Sequence, residues 1–223
     1  MINREFRFRD RTEAGRVLAG ELDRYAGRDD VVVLALPRGG VPVAREVAKA
    51  LGAPLDVFVV RKLGVPGHRE LAMGAVASGG ALVLDERLIR SLGITKAEIQ
   101  ETIAAEMREL ERRERAYRDG RDLPELTGKT VILVDDGLAT GSTMRAAALA
   151  VRRHHPARIV VAVPVAAAET CDEFRGEVDE IICAVTPRPF HAVGLWYDDF
   201  SQTSDEEVRE LLAQAAERVE GTP

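Results

Sequence analysis

The stretch Val131-Ile-Leu-Val-Asp-Asp-Gly-Leu-Ala-Thr-Gly-Ser-Thr-Met144 is the most informative part of this sequence. Its first four residues are apolar, and no polar residue alternates with them, as is typical of a parallel strand buried on both faces. Two carboxylates, Asp135 and Asp136, follow at the end of that strand. A small, hydroxyl-rich turn then leads into an alanine-rich helix that begins at Ser142. The stretch therefore predicts a strand–turn–helix unit of an α/β sheet.

The composition of this turn favours a ligand that carries both a phosphate and hydroxyl groups. Free backbone N–H groups and the positive end of the helix dipole can bind a phosphate. The acid pair, Asp135 and Asp136, would repel that phosphate. We therefore expect the two acids to bind a hydroxyl-bearing group next to the phosphate, or a cation. A phosphate next to a vicinal diol is a ribose 5-phosphate. The alternative is a turn that only caps the helix, but a cap needs one acid or hydroxyl and this turn has two acids and three hydroxyls.

The same stretch resembles the binding signature of the type I phosphoribosyltransferases, which act on 5-phosphoribosyl 1-diphosphate (PRPP). That signature is a hydrophobic strand, two acidic residues, two variable residues, a small or acidic residue, and then Thr-Gly-x-Ser/Thr. The resemblance implies that Asp135 and Asp136 act in catalysis by binding ribose hydroxyls, and that they bind Mg²⁺ through water. A Walker phosphate loop is excluded because no lysine precedes the Ser/Thr, and the chain has no Gly-x-Gly-x-x-Gly fingerprint. The residues that the resemblance assigns to the 5′-phosphate are Ala139, Thr140, Gly141, Ser142 and Thr143.

A second candidate loop follows the first predicted core strand. It contains Pro37, Arg38, Gly39 and Gly40 and opens the next helix. The two glycines allow a ligand to approach the backbone closely, and the helix N-terminus favours an anion. The resemblance implies that this is the diphosphate-binding loop, with a cis peptide at Arg38 and a catalytic role for that side chain. The alternative is a Gly-Gly turn with a surface arginine.

A third candidate is the pair Arg61 and Lys62, at the end of the second predicted strand. Adjacent cations repel each other unless an anion lies nearby, and the diphosphate would be that anion. Similar pairs occur in purine phosphoribosyltransferases, and Lys62 is expected to act in catalysis. The alternative is two solvated surface cations. Residues 64–80, with five glycines, correspond by order to the mobile active-site loop of the family.

The aromatic-rich residues 189–200 resemble the base-recognising hood of hypoxanthine-guanine enzymes. The resemblance implies that Phe190, or His191, stacks on the base and that Asp198 bonds an exocyclic amine. For Trp196 and Phe200 a structural alternative stays open, namely an aromatic cluster that fixes the last helix on the sheet. One position departs from those enzymes, because Ala139 stands where they carry an acid that assists the base.

Strand and helix patterns alternate through most of the chain and predict a doubly wound, mainly parallel sheet with helices on both faces. We expect one domain over residues 1–223, with a helical insertion at about 85–122 and a small C-terminal hood at about 186–203. Strands are expected at residues 31–36, 55–60, 131–134, 159–163 and 178–184, with a short pair at 73–77 and 81–84. Helices are expected at residues 12–25, 42–51, 85–117, 142–153 and 204–219.

Composition and net charge limit the expected partners and cellular location of the protein. The net charge of −6 without a basic stripe argues against nucleic acid as a partner. The longest apolar run, residues 159–168, is too short to span a membrane, and the N-terminus lacks the apolar core of a signal peptide. Cys171 and Cys183 form no metal-type cluster and are expected to be reduced, buried thiols. A cytoplasmic protein is therefore expected.

Together these features predict a Mg²⁺-dependent transfer of a 5-phosphoribosyl group from PRPP to a nitrogenous, nucleobase-like acceptor, with release of diphosphate. Two alternatives remain open, a PRPP-sensing regulator without catalysis and a hydrolase of PRPP or another phosphosugar. The expected partners are PRPP, a small-molecule acceptor and a second copy of the chain in a homodimer. The insertion is expected either to mediate that dimer or to cover the site.

Overall fold

The structure is a computed structural model that describes residues 7–220, without the side chains at positions 69 and 218–220. Strands and helices alternate over most of this length, as the sequence predicts. The strands are β1 (Val31–Ala35), β2 (Leu55–Val57), β3 (Val60–Val65), β4 (His68–Ala77), β5 (Ala81–Leu84), β6 (Thr130–Val134), β7 (Arg158–Val165) and β8 (Glu180–Val185). The α-helices are α1 (Arg11–Gly20), α2 (Gly40–Leu51), α3 (Glu86–Leu92), α4 (Lys96–Arg118), α5 (Ser142–Arg152), α6 (Ala168–Phe174) and α7 (Asp205–Glu220).

The central sheet is parallel, has the order β2-β1-β6-β7-β8, and has a hydrophobic core on each face. Side chains alternate between the two faces of a strand, so successive residues of β1 enter different cores. One core contains Leu18, Val47 and Val208, from α1, α2 and α7. The other contains Val151 and Phe174, from α5 and α6. The predicted doubly wound sheet with helices on both faces is confirmed.

The strand order places a topological switch point between β1 and β6. From β1 the chain continues to β2 on one side, and it later enters β6 on the other side of β1. Ligands of open α/β sheets bind beyond the carboxyl ends of the strands at such a point. The loops that leave β1 and β6 are the two that carry the candidate glycines and the acid pair.

The structure corrects the prediction for residues 64–80. This stretch was expected to be a mobile loop, but β3, β4 and β5 form a three-stranded antiparallel sheet. A tight turn at Pro66 and Gly67 joins β3 to β4, and Gly67 has a φ of 78°. The predicted pairing of residues 73–77 with 81–84 is confirmed, with Ala75 opposite Val83. The glycines hid the strand pattern because they add no side chains to the alternation.

The helical segment after β5 consists of two helices where the sequence predicted one. Helix α3 ends at Leu92, because the next residue, Gly93, has a left-handed φ of 64° that stops the helix. Helix α4 then begins with a capping box formed by Thr95 and Glu98. At 23 residues α4 is the longest of the described helices, and none of them is both long enough and apolar enough to cross a membrane.

A buried ion cluster fixes the end of α4 on the body of the protein. The side chain of Arg118 is 4% exposed and donates to both carboxylate oxygens of Asp56, at 3.1 and 3.0 Å. It also donates to Glu114 at 2.6 Å and to the backbone oxygen of Val57. Asp56 and Val57 belong to β2, so this one side chain ties α4 to the edge of the central sheet.

The prediction of two reduced thiols was wrong, because Cys171 and Cys183 form a disulfide. Cys171 lies on α6 and Cys183 on β8, and α6 packs against β8 so that both side chains enter the same interface. Because the two cysteines are joined in a disulfide, the argument from free thiols for a cytoplasmic location no longer holds.

Candidate functional site

The acid pair lies at the carboxyl end of β6, between two other strands of the sheet. The backbone N–H of Asp136 donates to Oδ1 of Asp135 at 2.9 Å. Burial raises the pKa of Asp135 well above its usual range, and the negative charge of Asp136 raises it further. Burial also raises the pKa of Asp136, although the guanidinium of Arg11 opposes the rise. Two neighbouring acids that are partly buried side by side are costly for the fold, which points to a ligand that uses them.

Sequence reasoning missed Arg11, which pairs with the second acid. Nε of Arg11 donates to Oδ2 of Asp136 at 2.9 Å, and the side chains are 11% and 15% exposed. The same guanidinium donates from Nη1 to the backbone oxygen of Ser201 at 2.6 Å. It also lies 4.0 Å from the ring centroid of Phe200. No sequence pattern predicts a contact between residues 125 positions apart.

The loop after β1 lies directly against the acid pair. Its Pro37–Arg38 peptide is cis, as the resemblance implies. A Cβ atom on Gly39 would lie 2.1 Å from Oδ2 of Asp136, and one on Gly40 would lie 2.7 Å from the backbone oxygen of Val134. Only glycine fits at either position. The expected diphosphate loop and the acid pair therefore form one continuous surface.

The side chain of Arg38 is oriented by the last helix. It lies 3.7 Å from Oδ1 of Asp205, the first residue of α7. The hydroxyl of Tyr117 donates to the same carboxylate oxygen at 2.8 Å, and burial, followed by the contact with Asp205, raises the pKa of Tyr117 to about 12. Asp205 thus connects α4 with the loop after β1.

The turn after β6 lines a small, open cavity of about 180 Å³ at the start of α5. Gly141, with a φ of 68°, leads into the helix, and a Cβ there would lie 2.5 Å from the ring of Phe174. Thr170 donates from Oγ1 to the backbone oxygen of Ala139 at 2.6 Å, so α6 supports the turn from behind. An anion in the cavity would meet the N-terminus of an eleven-residue helix. The cavity is lined by Asp135, Gly137, Leu138, Ala139, Thr140, Gly141, Ser142, Thr143, Met144 and Val193.

The side chains of Arg61 and Lys62 have different partners and do not form one site. They lie near the start of β3, whereas the sequence placed them at a strand end, and neighbours on a strand point to opposite faces. Nη2 of Arg61 lies 2.7 Å from Oε2 of Glu106 on α4. Nζ of Lys62 donates to Oγ of Ser142 at 2.6 Å. Lys62 is therefore directed to the turn after β6, and Arg61 is not.

The hood residues mostly form an apolar cluster. Phe190 packs against a buried group that contains Phe8, Val165 and Trp196. Trp196 is therefore a packing residue, but its cluster joins the N-terminal segment to the sheet and contains no described residue of α7, so the expected role in fixing the last helix was wrong. Phe200 is more exposed and covers Arg11. The side chain of Asp198 is 63% exposed and lies 3.9 Å from Arg7, and Asp198 does not line the cavity at the turn after β6. The hydroxyl of Tyr197 donates to the backbone oxygen of Asp136 at 2.6 Å and thereby ties the hood to the acid pair.

This chain matches the phosphoribosyl transferase domain family over residues 70–191. It is 48% identical over 208 residues to proteins of two Mycobacterium tuberculosis strains, CDC 1551 and H37Rv, each named "Putative phosphoribosyl transferase". The alignment covers 93% of this chain and 47% of each relative, so the chain spans about half their length. It is also similar to TT1426 from Thermus thermophilus, whose crystal structure gives a TM-score of 0.84 at 43% identity, over 93% of this chain and 98% of that one. The chain belongs to the phosphoribosyl transferase domain family.

Proposed function

We propose that this protein transfers a 5-phosphoribosyl group from PRPP to a nitrogenous, nucleobase-like acceptor and releases diphosphate. The observation that carries the proposal is the position of three groups at the switch point between β1 and β6. These are the buried acid pair, the small cavity at the N-terminus of α5, and the loop after β1 against which the acids pack. Together they match the three parts of PRPP, which are a diol, a phosphate and a diphosphate.

In this proposal each group acts on one part of the substrate. The turn at residues 139–143 binds the 5′-phosphate through its backbone N–H groups and the dipole of α5. Asp135 and Asp136 accept hydrogen bonds from the 2′- and 3′-hydroxyls, and their negative charge balances the positive charge that develops on the ribose as the bond to diphosphate breaks. The backbone of Gly39 and Gly40, together with Arg38, stabilises the departing diphosphate.

The acid pair also fits the Mg²⁺ ion that the family implies. Mg²⁺ prefers carboxylate and phosphate oxygens, takes one or two protein carboxylates and keeps several waters. Oδ2 of Asp136 is engaged by Arg11, and Asp135 makes no ion pair within the described part of the chain, so Asp135 would be the principal protein contact, directly or through water. Bound there, Mg²⁺ would neutralise part of the charge on the departing diphosphate. Residues 7–220 contain no group of three or more His, Cys, Asp or Glu able to hold a metal.

We propose the acceptor only as a chemical class, a nitrogenous and nucleobase-like compound. Ala139, on the exposed rim of the turn, supplies no general base, so we expect an acceptor nitrogen that is nucleophilic without one. Phe190 and Asp198 were expected to recognise a base, but Phe190 packs inside the hood cluster and Asp198 faces solvent beside Arg7. Acceptor recognition therefore stays a proposal without a named residue.

The function is tested by measuring diphosphate release from PRPP with Mg²⁺ and a panel of purine and pyrimidine bases. Release that depends on one base, with formation of its 5′-mononucleotide, is the expected result. Release at the same rate without any base would show a hydrolase. Binding of PRPP without turnover on any base would show a sensor, and absence of binding would contradict the whole proposal.

Lys62 is expected to bind the 5′-phosphate, because it already contacts Ser142 at the mouth of the cavity. Replacing Lys62 with Gln should weaken ribose 5-phosphate binding by about fivefold, as the loss of one charge-assisted, partly solvated contact would do. The measurement is calorimetric titration with ribose 5-phosphate and with diphosphate. Arg61→Gln is the matched control on the neighbouring position and should leave both affinities within about twofold. A larger effect of Arg61→Gln would show that the pair binds the ligand as the sequence suggested.

A further inference from the structure

Arg11 is a buried cation whose known contacts use only part of its hydrogen-bonding capacity. A guanidinium has five N–H donors. One donates to Asp136 and one to the backbone oxygen of Ser201. Nη2 has no hydrogen-bond acceptor among the residues that the structure describes, and it is not one of their buried polar atoms without a partner, so it is accessible to a ligand. A donor that is held in place but still accessible can bond an oxygen of a ligand.

The guanidinium also lies at the expected diphosphate loop. A Cβ atom built on Gly39 would be 3.4 Å from Nε of Arg11 and 2.1 Å from the Asp136 carboxylate that Arg11 contacts. The pair of Arg11 and Asp136 therefore lies directly against that loop. Asp136 fixes the orientation of the guanidinium there, and the ring of Phe200 covers its face.

The positions of the other candidate cations also support a role for Arg11 at this loop. A departing diphosphate needs cations, yet Arg61 is paired with Glu106 and Lys62 is directed to the turn after β6. Of the three cations that the sequence assigned to the diphosphate, only Arg38 remains near the loop, and it lies 3.7 Å from Asp205. Arg11 is a fourth cation, brought to the site from the N-terminal helix.

We propose that Arg11 is a binding residue for the diphosphate of PRPP and that its ion pair with Asp136 positions it for this contact. This inference rests on the proposed function. Arg11 donates from Nη2 to a diphosphate oxygen while Nε stays bonded to Asp136. The ion pair thus couples the ribose-binding acid to the leaving group.

The test compares how three ligands bind to one variant. Replacing Arg11 with Gln should weaken binding of diphosphate and of PRPP by about tenfold, because a charge-assisted contact is lost. Ribose 5-phosphate, which lacks the diphosphate, should lose less than threefold. Calorimetric titration of the full chain with PRPP, diphosphate and ribose 5-phosphate, each with Mg²⁺, measures these ratios.

A matched control lies on the same helix. Arg16 pairs with Glu46 at 3.0 Å and is 61% exposed, so Arg16→Gln should leave all three affinities within about twofold. If Arg11→Gln does not fold, Arg11→Lys keeps the charge but not the fork of donors, and it should retain ribose 5-phosphate binding while losing diphosphate affinity.

Equal losses for all three ligands would show that Arg11 only supports the fold, and unchanged affinities would show that it does not contact diphosphate. Either result overturns the inference and leaves the proposed function standing. If the unmodified protein binds neither PRPP nor ribose 5-phosphate, the proposed function itself is wrong and the inference is wrong with it.

Discussion

Replacing both members of the acid pair with asparagine should lower the affinity for PRPP by at least tenfold. Each carboxylate is expected to accept a charge-assisted hydrogen bond from a ribose hydroxyl, and such a bond is roughly twice as strong as the neutral bond that an amide oxygen would make. A loss of about 1.4 kcal/mol corresponds to a factor of ten, and because the two neighbouring acids interact, their losses are not expected to add in full. Titration calorimetry with PRPP and Mg²⁺ measures the loss. An unchanged affinity would contradict the assigned role.

The two single variants should change stability in opposite directions. Asp135→Asn removes a buried charge whose neighbour has the same sign and keeps the oxygen that accepts the N–H of Asp136, so the melting temperature should rise. Such changes commonly add about 0.5–2 kcal/mol, and each kcal/mol corresponds to about 2–4 °C for a domain of this size. Asp136→Asn instead leaves the buried guanidinium of Arg11 without its counter-charge and should cost about 1–3 kcal/mol.

The pH dependence gives an independent check on Asp135. Its pKa in the folded protein lies above the ordinary value of 3.8, so ionisation costs stability. The cost is absent in acid below that ordinary value, grows as the pH rises through the interval between the unfolded and folded pKa, and is constant above it. The gain from Asp135→Asn should therefore vanish in acid and be complete at higher pH. A gain that does not depend on pH would mean that the charge of Asp135 is not its source.

Replacing Arg118 with Met should lower the free energy of unfolding by about 3–5 kcal/mol. The arginine is buried, and its removal leaves the carboxylates of Asp56 and Glu114, which are 14% and 20% exposed, without a positive partner. The backbone oxygen of Val57 also loses its donor. Urea unfolding monitored by circular dichroism measures the change.

The control for this variant is another arginine of the same helix. Arg112 pairs with Glu109, but its side chain is 58% exposed, so Arg112→Met should change stability by less than about 1 kcal/mol. Equal effects of the two substitutions would show that the cluster around Arg118 does not anchor α4. If the anchor is real, Arg118→Met should also weaken diphosphate binding, because Tyr117 on the same turn of α4 contacts Asp205 beside Arg38.

The parts of the fold that could be predicted share one property, which is that the signal is local. Strands β1 and β6 are buried on both faces, and their apolar runs therefore predict them from the sequence. The acids and glycines that follow these strands indicate the loops at the switch point. The resemblance also implied the cis peptide at Arg38, which the structure contains. The turn after β6 was predicted from its hydroxyls and glycine, and the φ of 68° at Gly141 favours glycine there.

The parts that were missed depend on contacts between distant residues. Arg11 is an ordinary helix residue in the sequence, and only folding brings it to Asp136. Arg61 and Lys62 look like one cationic site because they are adjacent, but the pleat of β3 separates their side chains. The disulfide between Cys171 and Cys183 depends on how α6 packs on β8, which spacing alone does not reveal.

A crystal structure of the protein with PRPP and Mg²⁺ tests the central claim most directly. We expect the 5′-phosphate in the cavity at residues 139–143 and both ribose hydroxyls within about 2.6–3.0 Å of the carboxylates of Asp135 and Asp136. A structure in which the phosphate lies elsewhere, or in which the two carboxylates make no contact with the ribose, would contradict the account.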